Sequence, residues 1–191
     1  MMPNAPAASP GLAALIEAAT EAGLRISSSA SWPETEADSK VPPLAGFIES
    51  DFSPLVAEVA ERILRGRDPS HRGKVTAIVI VTGLGDVTTA TRVAAAVDAG
   101  RRVPPLLFFQ SVPNSVAGYL AARWHLTGPV VCVSGTTAGL AVAALLIDDS
   151  DADEALVIRV DLKVTDGDRD RAAAILVTGP VDRELPGTGG T

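Results

Sequence analysis

Four apolar runs punctuate the chain: Lys74 to Thr82 (KVTAIVIVT), Val130 to Val133 (VVCV), Ala155 to Val160 (ALVIRV) and Ala172 to Val177 (AAAILV). Each is strand-length, the first three are rich in valine and isoleucine and the last in alanine, and the unbroken ones read as strands covered on both faces. The first is the most continuous and is expected near the centre of a sheet. Between them the apolar positions recur at helical spacing. Leu12, Leu15, Ile16 and Ala19 form one face of a segment from Gly11 to Leu24, opposite Glu17 and Glu21. Leu55, Val59, Ile63 and Leu64 mark a second stripe, which Ser53-Pro54 opens as a capping residue followed by proline. Asp86 is placed to cap a third helix, Val87 to Ala99, with Val93, Ala96 and Val97 facing inward, and Gly100 closes it.

Helices and apolar strands that alternate in this way predict an α/β domain: a layered mixed sheet with helices on both faces, parallel in its centre and with an antiparallel return at the end. Residues 1–52 read as an N-terminal helix and flexible loop, residues 53–180 as the main domain, and residues 181–191 as a loose tail. Within the first part, Ile26 to Pro43 has serines, acidic residues and prolines without a period, the pattern of a loop, although its opening ISSSASW also suits a strand. Thr165 to Arg171 reads as a polar hairpin connection.

Composition narrows the function classes. Of 191 residues 47% are hydrophobic, mostly alanine, valine and leucine, a mix suited to close packing of helices on a sheet. A net charge of -7 and a pI near 4.8 argue against a nucleic-acid or anionic-membrane partner. No apolar run approaches the ~20 residues that span a bilayer, and the N-terminal segment lacks the basic start of a signal peptide. One cysteine rules out an internal disulfide framework and suits the cytoplasm.

The densest stretch runs from Ser111 to Leu140, SVPNSVAGYLAARWHLTGPVVCVSGTTAGL. Asn114 is expected to cap a helix, Thr127-Gly128-Pro129 to stop it, and Ser134-Gly135-Thr136-Thr137 to turn the strand at Val130 directly into an apolar helix, Ala138 to Ile147. α/β enzymes place nucleophiles at such strand-to-helix turns, where free amides and the positive dipole end meet developing negative charge. Two side chains are candidates here, Cys132 and Thr136. Cys132 lies within the strand, where a buried structural thiol is the plainer reading, and Thr136 is equally suited to capping the helix. His125 stands at a helix end, where a protonated imidazole complements the dipole; with only His71 elsewhere, no metal constellation forms. Gly83-Leu84-Gly85-Asp86 lacks the further glycine and the lysine of a phosphate loop, so no cofactor is expected.

The order SVPN, AG, LTGP, a short apolar strand and a small-residue turn ending TAGL resembles the N-terminal half of a ketosynthase. It is most similar to the chain-length-factor and ketosynthase-like branch of the thiolase superfamily, with the turn at Gly83 and the strands at Glu154 and Ala172 in agreement, over roughly residues 53 to 180. The resemblance implies half of a thiolase-like fold. The family's acyl-carrying cysteine sits at the elbow before the core helix, and the alignment puts Thr136 there. The family's catalytic histidines, or histidine and asparagine, come from a second half that this sequence does not contain. Decarboxylative condensation needs both a thiolate and those partners.

The resemblance thus implies a non-catalytic, chain-length-factor-like subunit beside an active ketosynthase in polyketide or fatty-acid-type biosynthesis. It further implies that Phe108, Phe109 and Val112 reach a partner's acyl tunnel at the dimer interface; ordinary core packing is the plainer reading of these three. An apolar helix at Ala138 to Ile147 calls for cover from a second subunit, a ketosynthase or a second copy, and an acyl carrier protein is a further possible partner. Two alternatives stand beside this: a β-ketoacyl-synthase-type acyltransferase completed by a second polypeptide, and a scaffold that docks carrier proteins.

Overall fold

The computed structural model describes residues 9–35, 38–68, 71, 73–163 and 169–180. The expected closing tail, and most of the expected hairpin connection near Thr165, lie outside these residues. In chain order the elements are α1 (Pro10–Glu21), β1 (Arg25–Trp32), α2 (Phe52–Arg65), β2 (Thr76–Thr82), α3 (Val87–Asp98), α4 (Pro105–Gln110), α5 (Asn114–Trp124), β3 (Val130–Val133), α6 (Thr136–Asp148), β4 (Glu154–Asp161) and β5 (Arg171–Thr178). The strands form one mixed sheet in the order β1-β5-β4-β2-β3. β2 pairs in parallel with β3 and β4, whereas β5 runs antiparallel to β4 and β1 antiparallel to β5. The parallel centre and the antiparallel return are those the sequence predicts.

Two helical layers divide the sheet residues by strict alternation, as the two-residue period of a strand requires. Ile78 and Ile80 of β2, Leu156 and Ile158 of β4, and Ala174 and Leu176 of β5 face one core with α2 and α5. Ala77, Val79, Val81, Ala155, Val157, Ile175 and Val177 face the other, with α1 and α6. β2 is buried at all seven positions, which explains its uninterrupted apolar sequence. α6 lies so close to β2 that a Cβ at Gly139 would fall 2.4 Å from Val81 Cγ2. Gly128 serves the same purpose in the approach to β3: a Cβ there would meet the Thr76 carbonyl oxygen at 2.4 Å, and its N–H donates to that carbonyl at 3.2 Å.

Several sequence expectations are corrected. Residues 25–32, whose ISSSASW suits either loop or strand, form edge strand β1, with Ser27 and Ser29 exposed, Ser28 half-buried and Ser31 buried. β3, expected to be covered on both faces, is the opposite edge strand and is only half-buried. α5 and α6 cover its faces only partly, and among the described residues one side of its backbone ladder has no neighbouring strand. Asp86 caps α3 as expected, its carboxylate accepting from the Thr89 amide at 3.1 Å and the Thr89 hydroxyl at 2.9 Å. Of α3, however, only Thr89 is buried; Val93 and Ala96 are half-buried and Val97 is exposed. α2 starts one residue before Ser53, and Ser50 Oγ accepts from the Ser53 amide at 2.8 Å. Asn114 does not cap α5, because Pro113 stands at the cap position and Asn114 is already helical.

α1 lies on the same face as α6 and packs against β5, β1 and α6. Leu12, Leu15 and Ala19 are buried there among Val177, Ile175 and Ala143. The apolar core helix thus receives part of its cover from within the chain. Its far side, with Ala138, Ala141 and Leu145, is exposed.

Candidate functional site

All three parallel strands point their C-terminal ends to one edge of the sheet, the edge at which parallel α/β sheets place ligands. Three turns meet solvent there. After β2, Gly83 to Gly85 form a tight turn in which the Gly85 amide donates to Thr82 Oγ1 at 3.1 Å. After β3, Ser134-Gly135 leads into α6, and after β4 comes Leu162. A groove of about 290 Å³ runs between the first and third of these turns, lined by Thr82, Gly83, Leu84, Val160, Asp161 and Leu162.

At the elbow itself the helix cap is Gly135, with φ 90°, and Thr136 is the first helical residue. The expectation that Thr136 caps α6 is corrected accordingly: the left-handed conformation needed at the cap is one that glycine adopts without a Cβ penalty. Thr136 is partly exposed and Ser134 exposed. The histidines lie at the other end of the sheet. His125 is the left-handed C-cap of α5, five residues before β3 begins, and His71 stands before β2. Four strand residues alone span about 13 Å, so neither imidazole reaches the Thr136 hydroxyl to activate it. Among the described residues no group of His, Cys, Asp and Glu is arranged to hold a metal ion.

Cys132 is partly buried against the core formed with α2 and α5. Burial pushes its thiol above the ordinary value, since the thiolate loses hydration without gaining a cation. The folded state therefore holds this proton more tightly than the unfolded chain does, a contribution present at neutral pH and lost as pH rises through the raised value. Iodoacetamide at pH 8 is expected to label Cys132 about tenfold more slowly in the folded protein than in urea, read by intact mass. Equal rates would contradict this placement.

Phe108, Phe109 and Val112 lie in and after α4, a helix that no apolar periodicity announces. They are exposed to 65%, 60% and 47%, together with Leu106 at 63%, and so are not core residues of this chain. α4 packs on α3 and α5. The turn that follows it touches the glycine turn after β2, for a Cβ at Gly85 would sit 3.1 Å from Pro113 Cγ. Exposed apolar side chains at Leu84 and Val97 extend the surface along α3. The whole forms an apolar margin beside the C-terminal edge of the sheet.

The opposite edge holds an ionic cluster that sequence reasoning missed. Glu154, fully buried at the start of β4, accepts from the Thr76 hydroxyl at 2.9 Å and from the Arg67 guanidinium. Its other oxygen lies 2.5 Å from His71 Nδ1 and 3.8 Å from Lys74 Nζ. The one sequence signal is a carboxylate at the mouth of an otherwise apolar strand.

No family model and no curated protein matches the chain. Solved structures do. A ketosynthase in complex with its chain length factor from Xenorhabdus doucetiae matches with a TM-score of 0.63 and 18% identity, over 82% of this chain and 79% of that one. The ishigamide ketosynthase/chain length factor gives 0.61 and 19%, over 80% of this chain and 50% of that one. An oxazolomycin ketosynthase domain from Streptomyces albus JA3453 gives 0.51 and 14%, over 66% and 27%. The chain thus spans about four-fifths of the first of these and half of the second. At these identities the likeness establishes the fold, which is the ketosynthase-type layer that the motif order anticipates.

Proposed function

We propose that this chain is a chain-length-factor-like subunit that assists a ketosynthase in polyketide or fatty-acid-type synthesis, and that the partner performs the condensation. The observation that carries this reading is the exposed apolar margin of α4. A chain with a ketosynthase-type fold leaves Leu106, Phe108, Phe109 and Val112 in water beside the edge of the sheet, where a second subunit would bury them. Two further features support it. The elbow offers a Thr136 hydroxyl with both histidines far away, which suits a member that does not carry the acyl chain. The open edge of β3 offers backbone donors and acceptors to a neighbouring strand. In this reading Phe108, Phe109 and Val112 line the end of the partner's acyl tunnel, and the acyl carrier protein docks on the complex.

Native mass spectrometry of the protein purified gently from its own cells tests the proposal. The expected species pairs this chain with one of ketosynthase size, and Phe109→Ala in that complex lengthens the products. A homodimer alone would overturn the role. An acyl adduct on Thr136 or Cys132 after incubation with an acyl thioester would point instead to an acyltransferase completed by a second polypeptide. Binding of a carrier protein without any ketosynthase would point to a scaffold.

A further inference from the structure

A second and larger groove, about 590 Å³, opens where β1 ends, beside the N-terminus of α2 and the two ends of the β4–β5 connection. It lies on the α2 side of the sheet, at the same C-terminal edge as the first groove but at the β1 end of the sheet, the end opposite β3 and its elbow. Its volume is within the range of pockets that hold small organic molecules.

The floor is apolar and fixed. Trp32 is buried, and the Arg62 guanidinium stacks 5.0 Å from its ring centre. Arg62 is in turn held by the Ser31 carbonyl at 2.9 Å, Glu58 at 2.8 Å and Glu34 at 2.8 Å, so the indole rests on a side chain with little freedom to move. Val41 and Pro54 complete the apolar part.

The rim is charged, and its two signs are differently engaged. Asp38 is tied down: it accepts from the Glu34 amide at 2.8 Å and the Thr35 amide at 3.3 Å, and it pairs with Arg62 at 3.4 Å. The Glu34 amide foremost, with the Thr35 amide and Arg62, holds its carboxyl below the usual value against the opposing effect of burial. Asp170 accepts from the Lys163 amide at 2.8 Å, and Asp51 from the Thr88 hydroxyl at 3.0 Å. Lys40, Lys163 and Arg169 also line the groove, and among the described residues their side-chain nitrogens have no hydrogen-bond or ion-pair partner. The unused polar capacity of the rim is therefore mostly cationic donor.

We infer that this groove binds a small amphipathic anion, whose apolar segment lies on Trp32, Val41 and Pro54 and whose carboxylate or phosphate head is held by Lys40, Lys163 and Arg169. Long flexible cations over an apolar floor suit such a ligand, because the head gains charge-assisted hydrogen bonds while the tail leaves water. The site is independent of the proposed ketosynthase partnership.

The chain has two tryptophans, which supply a reporter and a control. Trp124, at the end of α5, lies at the opposite edge of the sheet. In ¹H–¹⁵N spectra, octanoate or octyl phosphate added below its micelle concentration is expected to shift the Trp32 indole signal saturably and leave that of Trp124 in place. Whichever amphiphile binds more tightly identifies the head group. Octanol and inorganic phosphate, each lacking one half of the ligand, should bind about tenfold more weakly or worse. The double variant Lys40→Glu/Lys163→Glu, whose changes are at exposed positions, should lose about tenfold in affinity with an unchanged melting midpoint. The inference is overturned if Trp32 shows no saturable shift up to about 5 mM amphiphile. It is equally overturned if both indoles move together, or if octanol or the double variant binds as tightly as the anion does to the unaltered protein.

Discussion

Phe108→Asp combined with Phe109→Asp is expected to weaken association with the proposed ketosynthase partner by about a hundredfold or more, while the melting midpoint of the isolated chain stays where it was. A buried interface aromatic contributes about 2 kcal/mol or more when truncated, and aspartate adds the desolvation of a charge in an apolar contact. In the isolated chain both rings are mostly in water, so replacing them removes almost no burial and leaves stability within about 0.5 kcal/mol. Titration of the labelled partner, followed by fluorescence anisotropy, measures the first quantity, and thermal unfolding the second. An unchanged dissociation constant would remove α4 from the interface. A midpoint that falls together with affinity would show that the rings support the fold instead. Phe109→Ala alone separates occupancy from length control: the complex forms, weakened, and its products lengthen.

The largest loss of stability is expected at the other end of the sheet. Glu154→Ala leaves Arg67, His71 and Lys74 around a carboxylate that is no longer there, and strips the Thr76 hydroxyl of its acceptor. Breaking a buried ion pair by removing one partner costs about 3–5 kcal/mol, because the remaining charge keeps its desolvation penalty. For a chain of this size that corresponds to a fall of about 10 °C in the melting midpoint. Glu154→Gln keeps the shape and one acceptor oxygen, and should fall by less. A Glu154→Ala midpoint within about 2 °C of the parent would show that the cluster is held from elsewhere. The cluster joins the N-terminal ends of β2 and β4, through paired Thr76 and Glu154, to the connection after α2. It stands a full strand length from the C-terminal edge, so Glu154→Gln is expected to leave partner binding unchanged.

Most elements follow from local pattern. β2, β4 and β5 are legible because strands covered on both faces must be apolar throughout, and α1 and α2 because one helical face repeats at the right interval. The small-residue turn at Gly135 and the absence of a thiol at Thr136 are likewise in the residues themselves, and so is the motif order that resembles a ketosynthase. A periodic apolar face, however, says only that something covers it. Val97 of α3 looks like a core residue in sequence and is exposed in the chain, while Leu15 of α1, with the same kind of spacing, is fully buried. Which of the two meets the sheet depends on residues far away in sequence. The same is true of strand order. β1 pairs with β5 across nearly the whole chain, and its serines carry too little apolar signal to announce it, whereas β3 reads as covered on both faces and is a half-buried edge strand. Glu154 and the Trp32 groove are joined only in three dimensions, from segments some eighty to more than a hundred residues apart. Sequence alone determined which surfaces are apolar and where the chain turns. Tertiary structure decided which of them the chain covers for itself, because burial is a property of partners brought together from a distance and not of any one segment.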